Sequence, residues 1–470
     1  MRLAVAEPEM KGRRLHFIAI GGAGMSGLAL VCRFLGAEVT GSDRSESSYM
    51  DRLRAAGLEP FVGHDAEHVP ADAEVVISTA IPEDNPELAR ARERGQQVLH
   101  RGELLAGLCA ERRLLAIAGT HGKTTTAAMC IWALRATGTD PAFFLGGELP
   151  GAGPGGTPSN AGWGEGEWVV AEADESDASF LRLRPEVAVI TNLELDHHSR
   201  WSSLAELSEA FSAFSSSAPR LVIGAEVRLP AQEGRRVIRF ALEPGPGEQP
   251  VEVELLATGI EAVPDGGSRF RARGAGIDTE VALRVPGRHN VANALAALGG
   301  VTLAGADAGA CARSLAGFPG VSRRLELKGE ANGARVYDDY AHHPTEVAAV
   351  LEAARELRPR RLIAAFQPHL YSRTKALATE FGAALAAADE VAVLDVYPAR
   401  EMPVGALEGV SGMMVASAAA DHGGGRPVWW LPDAELAAQA LRPRLSEGDI
   451  LITIGAGDIF KLAEDLVSGR

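Results

Sequence analysis

The 470-residue chain has 46% hydrophobic and 23% charged residues, the composition of a folded protein of roughly two to four domains. Its formal net charge of −16 argues against a nucleic-acid partner, which wants a basic face, and no uninterrupted apolar stretch is long enough to span a bilayer. The cysteines Cys32, Cys109, Cys130 and Cys311 are scattered and read as buried thiols in a reducing compartment; residues 1–14 carry charges but no apolar signal segment, so a cytoplasmic location is expected.

Residues 14–20 read as a buried strand. Gly22, Gly24 and Gly27 follow in G-x-G-x-x-G spacing, then an apolar helix over 28–35 and a second strand ending at Asp43. That order predicts a Rossmann-like unit, with a diphosphate on the helix N-terminus and a ribose on Asp43. The same geometry serves NAD(P) or any other nucleotide diphosphate, and Asp43 could equally be an acid on a surface turn. Further strands are expected over 74–78 and 97–100, with Ser78 at the ligand-binding end of the first.

An apolar strand over 114–118 runs into Gly119-Thr120-His121-Gly122-Lys123-Thr124-Thr125 and then a helix. A strand, a Gly-rich turn and a helix opening on Lys-Thr make a phosphate cradle: backbone N–H groups face the anion, Lys123 reaches the β/γ-phosphates and the Thr124 hydroxyl can hold Mg²⁺. Ile117 stands where the full pattern wants Gly, so an ordinary strand–helix turn is the alternative. Residues 148–158 are Gly/Pro-rich and read as a loop. A strand over 167–171 then ends in Glu172-Ala173-Asp174-Glu175, a carboxylate cluster that suggests a Mg²⁺ site or a solvated acidic turn. Another strand, 187–191, leads to Asp196-His197, a metal ligand with its orienting acid or a helix-capping pair. Alternation across 221–285, including 251–255 and 279–283, predicts a small antiparallel sheet. Asn290 and Asn293 lie three apart on one helix face and suit an adenine edge, or Asn290 caps the helix.

From residue 319 strands are expected at 334–337, 361–366, 390–394 and 450–454, separated by Ala-rich helices, again a parallel doubly wound sheet. Two polar clusters close strands here: Asp338-Asp339-Tyr340-Ala341-His342-His343-Pro344-Thr345-Glu346 and Gln367-Pro368-His369-Leu370-Tyr371-Ser372-Arg373-Thr374. They place His, Arg, Tyr and Asp on the ligand-binding edge of one sheet.

Gly-Thr-His-Gly-Lys-Thr resembles the phosphate loop of the Mur ligases, the ATP-dependent amide-bond formers of peptidoglycan synthesis. Gly287-Arg288-His289-Asn290-Val291-Ala292-Asn293 resembles that family's adenine element, and the two C-terminal clusters resemble the signatures of its L-alanine-adding branch. The resemblance covers nearly the whole chain in order. It implies an α/β fold of three domains: a Rossmann-like UDP-sugar domain (1–107), a central phosphate-loop domain with a small antiparallel sheet (108–318) and a Rossmann-like amino-acid domain (319–470). It implies an enzyme that joins L-alanine to UDP-N-acetylmuramate with ATP and Mg²⁺, as monomer or homodimer. Carried residue by residue, Gly22, Gly24, Ser26, Asp43, Ser78 and His121 serve the UDP-sugar; Gly119, Thr120, Gly122, Lys123, Thr124, Thr125, Asn290, Asn293, Arg323 and Asp339 serve ATP; Thr124, Glu172 and His197 hold metal; Tyr340, His342, His369 and Arg373 line the amino-acid site. Lys123, Glu172, His197 and His342 are the catalytic candidates. Many relatives have Arg where Leu370 stands, and many carry a carbamylated lysine between the metals. No lysine occurs between Lys123 and Lys328, as in the L-alanine branch. The nearest rival adds a tripeptide to the same UDP-sugar in cell-wall recycling; the small residues at 176–181 favour the L-alanine form. An NAD-dependent oxidoreductase would leave the phosphate loop unexplained.

Overall fold

The computed structural model describes residues 10–196, 200–230, 234–245, 247, 249, 251–263, 266–399 and 401–469. They form two compact units. The first runs to residue 259 and adds 270–281 and 292–318; the second holds 260–269, 282–291 and the chain from 319 on.

The first unit carries two sheets. The N-terminal sheet is all parallel, in the order β3-β2-β1-β4-β5. Its strands are β1 (Arg14–Ile18), β2 (Glu38–Asp43), β3 (Phe61–Val62), β4 (Glu74–Ile77) and β5 (Val98–His100). The expected strand over 14–20 stops at Ile18 because Ala19 turns the chain with φ +64°, and the fingerprint helix Ala23–Phe34 follows. The second sheet contains β6 (Arg113–Ala118), β7 (Ala142–Leu149), β8 (Ser159–Gly162), β9 (Trp168–Glu172), β10 (Val187–Ile190), β11 (Arg220–Gly224), β12 (Arg236–Leu242), β13 (Leu255–Ala262), β14 (Ser268–Gly274) and β15 (Ile277–Leu283). Their order is β15-β14-β13-β12-β11-β10-β6-β9-β7-β8. The centre of this sheet, β6 with β9 and β10, is parallel and apolar with both faces covered, so its C-terminal edge collects the polar loops.

The strands of 221–285 extend the phosphate-loop sheet and are not a separate one; β10–β11, β11–β12 and β12–β13 pair parallel. The strand expected over 251–255 starts only at Leu255. The Glu254 side chain takes the Arg239 backbone N–H at 2.7 Å, a donor that a longer strand would have used.

The two sheets of this unit share one apolar core and are also joined by polar contacts. Asn160 of β8 donates through Nδ2 to the Ala23 carbonyl (2.5 Å) and the Ser26 hydroxyl (3.2 Å). Gly27 permits that approach, since a Cβ there would stand 3.0 Å from Ala161 and 3.2 Å from Asn160. Arg52 pairs with Glu148, and Arg101 reaches Asp174 and Asp177.

The second unit carries a six-stranded sheet, β16 (Glu326–Ala331), β17 (Ala334–Asp339), β18 (Leu362–Phe366), β19 (Glu390–Val393), β20 (Val428–Trp430) and β21 (Ile450–Ile454), in the order β16-β17-β21-β18-β19-β20. All its pairs are parallel except the edge pair β16–β17. The four foreseen strands are its centre, and the edges β16 and β20 are additions. All four cysteines are buried free thiols. No helix among the described residues is long and apolar enough to cross a membrane.

Candidate active site

In the first unit the buried strand β6 delivers the chain to a loop that only glycine can build at two points. Gly119 has φ +127° and Gly122 has φ +78°, both left-handed. A Cβ at Gly119 would collide with the Thr191 hydroxyl, and one at Gly122 with the Asn293 amide. The helix Lys123–Ala136 opens directly on Gly122 with no side-chain cap, so its first N–H groups face the loop and favour an anion. The loop is anchored from β10: Asn192 Oδ1 accepts the His121 N–H (2.8 Å), Thr191 Oγ1 donates to the His121 carbonyl (2.6 Å) and His121 Nε2 lies 2.9 Å from Glu194 Oε2. Thr120 donates through Oγ1 to the Glu194 carbonyl at 2.9 Å. Thr125 is buried in the helix's first turn.

Lys123 Nζ donates to the carbonyls of Gly119 (2.7 Å) and Thr120 (3.1 Å) and to both oxygens of Glu175 (3.1 and 2.8 Å). Burial opposes the lysine's charge, but Glu175, Asp174 and Glu172 outweigh it and its pKa is raised. Burial pushes Glu175 up to about 7, against the pull of Lys123. Next to this pair Thr124 Oγ1 stands 3.0 Å from each oxygen of Glu172, the last residue of β9, and the Gly146 N–H donates to Glu172 Oε2 at 2.7 Å. A hydroxyl and a carboxylate held face to face on a phosphate loop are hard-oxygen ligands of the kind Mg²⁺ takes. His197 lies outside the described residues. Asn293 sits under the loop, its Oδ1 3.3 Å from Thr126 Oγ1.

The glycine fingerprint holds its own acid close: Asp43 Oδ2 accepts the Gly21 N–H at 3.0 Å. Gly22 and Gly24 open the helix. Ser26 is buried, donates to the Ala23 carbonyl (3.1 Å) and meets Asn160. Ser78 follows β4, where its hydroxyl accepts the Ala80 N–H at 3.4 Å.

In the second unit the polar residues gather at the C-terminal edge of β17, β18 and β21. Arg323, with φ +58°, donates to Asp338 Oδ2 (2.9 Å) and the Gly455 carbonyl (2.7 Å) and lies over the rings of Tyr340 (5.0 Å) and Phe460 (4.8 Å). Buried Asp339 accepts the Leu325 and Ala341 N–H groups, one on each oxygen, both at 2.7 Å. His342 Nδ1 lies 3.0 Å from the Tyr340 carbonyl and 3.4 Å from Glu346 Oε2. Its ring is 6.1 Å from that of His369, which stacks on Tyr397 at 5.8 Å and has Arg373 3.3 Å from its Nδ1. Thus Tyr340, His342, His369 and Arg373 form one cluster. Leu370 opens the next helix with φ +71°. In the adenine element, Asn290 donates to the Pro286 carbonyl at 2.7 Å. The Gly455–Asp458 turn meets this cluster from β21: Asp458 accepts from Gln367 Nε2 at 3.1 Å.

Asp339 supports a first prediction. Burial pushes its carboxyl up to about 6 against the pull of Arg324 and the two N–H groups. A buried acid raised in the folded state contributes stability that is full below its ordinary value of 3.8 and lost as pH rises through about 6. Asp339→Asn must turn an amide N–H toward one of two backbone donors, so it should cost about 1–3 kcal/mol and remove that slope between pH 4 and 6. Urea unfolding across that range checks both; unchanged stability and slope would contradict it.

Three family models match in order: "Mur ligase family, catalytic domain" over 14–113, "Mur ligase middle domain" over 117–301 and "Mur ligase, glutamate ligase domain" over 323–457. The UDP-N-acetylmuramate–L-alanine ligase of Rubrobacter xylanophilus is 46% identical over 465 residues, 97% of this chain and 99% of that protein. That of Streptomyces coelicolor is 44% identical over 456 residues, 96% of each. Among solved structures, UDP-N-acetylmuramate-alanine ligase from Thermotoga maritima superposes with a TM-score of 0.83 at 29% identity, covering 97% of this chain and 98% of that one. A murein peptide ligase from Psychrobacter arcticus shares the fold with a TM-score of 0.72 at 23% identity, covering 97% and 98%.

Proposed function

The chain belongs to the Mur ligase family, and from that premise we propose that it joins L-alanine to the lactyl carboxylate of UDP-N-acetylmuramate at the expense of ATP. The observation that carries the choice of acceptor is the near full-length identity to L-alanine ligases, 46% over 97% of the chain. The reaction takes two steps. The lactyl carboxylate attacks the γ-phosphate of ATP and releases ADP, forming an acyl phosphate; the L-alanine amine then adds to the acyl carbon and expels phosphate.

Each cluster has one task in this scheme. Gly119, Thr120, Gly122, Thr125 and the helix start of Lys123 hold the phosphates, and Lys123 keeps a fixed positive charge where negative charge is redistributed. Thr124 and Glu172 would hold Mg²⁺, with His197 as a ligand of a second ion; bound there, the cation neutralises charge on the transferring phosphoryl group. Asn290, Asn293, Arg323 and Asp339 serve the nucleotide. Gly22, Gly24, Ser26, Asp43, Ser78 and His121 serve the UDP-sugar, and Tyr340, His342, His369 and Arg373 the amino acid. A base must take the ammonium proton before the amine attacks. His342 suits this role, because the Tyr340 carbonyl accepts from Nδ1–H and the neutral ring then carries its lone pair on Nε2. His342→Ala should lower turnover by roughly 10²–10⁴-fold while UDP-sugar affinity stays within about threefold; equal losses in both would exclude the role.

The acceptor is tested by exchange. With ATP, Mg²⁺ and UDP-N-acetylmuramate present, L-alanine should be consumed in preference to glycine and L-serine. Turnover with the cell-wall tripeptide but not with L-alanine would move the chain to the recycling branch.

A further inference from the structure

Arg101 lies between the two nucleotide-binding loops of the first unit and has no role in the scheme above. Its backbone position is set by a capping box: the Gly102 N–H donates to His100 Nδ1 (3.1 Å) and the His100 N–H to Glu103 Oε2 (3.0 Å), so the helix Arg101–Ala110 starts at this residue. The guanidinium has two occupied sides. Nη2 donates to Asp177 Oδ2 at 2.7 Å and to Asp174 Oδ2 at 3.3 Å. Nη1 faces the glycine fingerprint, where a Cβ on Gly24 would stand 3.2 Å from it. Asp177 is only 4% exposed and Arg101 21%, so the pair is largely shielded from water.

The two aspartates flank Glu175, whose carboxylate holds Lys123 at 2.8 Å. The acidic run 174–177 after β9 thus has a cation at each end, Arg101 on Asp174 and Asp177 and the phosphate-loop Lys123 on Glu175. We propose that Arg101 is a positioning residue that couples the two loops, so that a diphosphate seated on Gly22–Gly24 favours a nucleotide phosphate on Lys123, and the reverse. The physical basis is the shared guanidinium. An anion at the fingerprint draws on Nη1, weakens the hold on Asp174 and lets that carboxylate bear more on the Glu175–Lys123 pair, which must loosen for the lysine to meet phosphate. Without the guanidinium, Asp174 and Asp177 face an incoming diphosphate as uncompensated charge. Linkage requires the coupling to be equal in both directions.

The proposal rests on the reading that the fingerprint holds the UDP-sugar and the phosphate loop the adenine nucleotide. Calorimetric titration of UDP-N-acetylmuramate, with and without saturating Mg·ADP, tests it. The wild-type chain should bind the sugar nucleotide at least about fivefold tighter with Mg·ADP present. Arg101→Ala should bring that ratio near one, while Mg·ADP alone binds as before, and Arg101→Lys should restore part of the ratio. If Arg101→Ala does not fold, Asp177→Asn carries the same comparison. A wild-type ratio retained in the alanine variant overturns the proposal, as does a wild-type ratio of one. Failure of the wild-type chain to bind either ligand overturns the reading beneath it.

Discussion

Lys123→Ala should lower ATP-dependent phosphate release by roughly 10³-fold while the chain still folds. The lysine is 11% exposed and its ammonium is held by two loop carbonyls and both Glu175 oxygens, so its charge is kept at the loop, away from bulk water, where negative charge moves. Alanine removes that charge and leaves a carboxylate that is 1% exposed without its cation. An uncompensated buried charge ordinarily costs several kcal/mol. Here the cost is limited, because burial already holds Glu175 near 7 and loss of the cation pushes it further toward the neutral acid. The variant should therefore lose activity far more than thermal stability, and adding Glu175→Gln should recover the remaining stability without recovering turnover. Turnover and melting temperature of the single and double variants check this. Activity within tenfold of wild type in Lys123→Ala would contradict it.

Glu172→Gln should have the second largest effect, a loss of about 10²–10³-fold in turnover with a rise in the Mg²⁺ concentration needed for half-maximal rate. The Glu172 carboxylate meets the Thr124 hydroxyl at 3.0 Å through both oxygens and takes the Gly146 N–H at 2.7 Å. Thr124 can rotate its hydroxyl toward an amide; the backbone N–H of Gly146 cannot. The substitution thus either sets two donors against each other or turns the amide nitrogen to where a cation belongs. A Mg²⁺ titration of the rate separates this from simple unfolding. An unchanged Mg²⁺ requirement would place the metal elsewhere.

What was legible in the sequence and what was not follows from the range of the interactions. β6, β9, β10 and the centres of both outer sheets are continuous apolar runs ending in polar turns, so pattern alone locates them and puts Lys123, Glu172, Asp339 and His369 at sheet edges. The short edge strands β3 and β20 carry no period long enough to read, and the register of β16 is broken between Leu327 and Gly329. The strand expected over 251–255 failed because a carboxylate, Glu254, took a backbone donor that the alternation had reserved for pairing. The contacts that matter most join residues far apart in the chain: Lys123 with Glu175, Arg101 with Asp177, Gly27 beneath Ala161. The acids after β9 were visible as a cluster, but which of them would hold the lysine depended on how β9 lies beside β6. Gly27 looked like the usual third glycine of a dinucleotide fingerprint, and its neighbour across the gap is a strand of the other sheet.

The most direct measurement is phosphate release from ATP with Mg²⁺, with UDP-N-acetylmuramate and L-alanine supplied singly and together. Release that requires both, with one L-alanine joined per phosphate, is the predicted result. Release without L-alanine uptake, or none with both substrates present, would contradict the ligase reading.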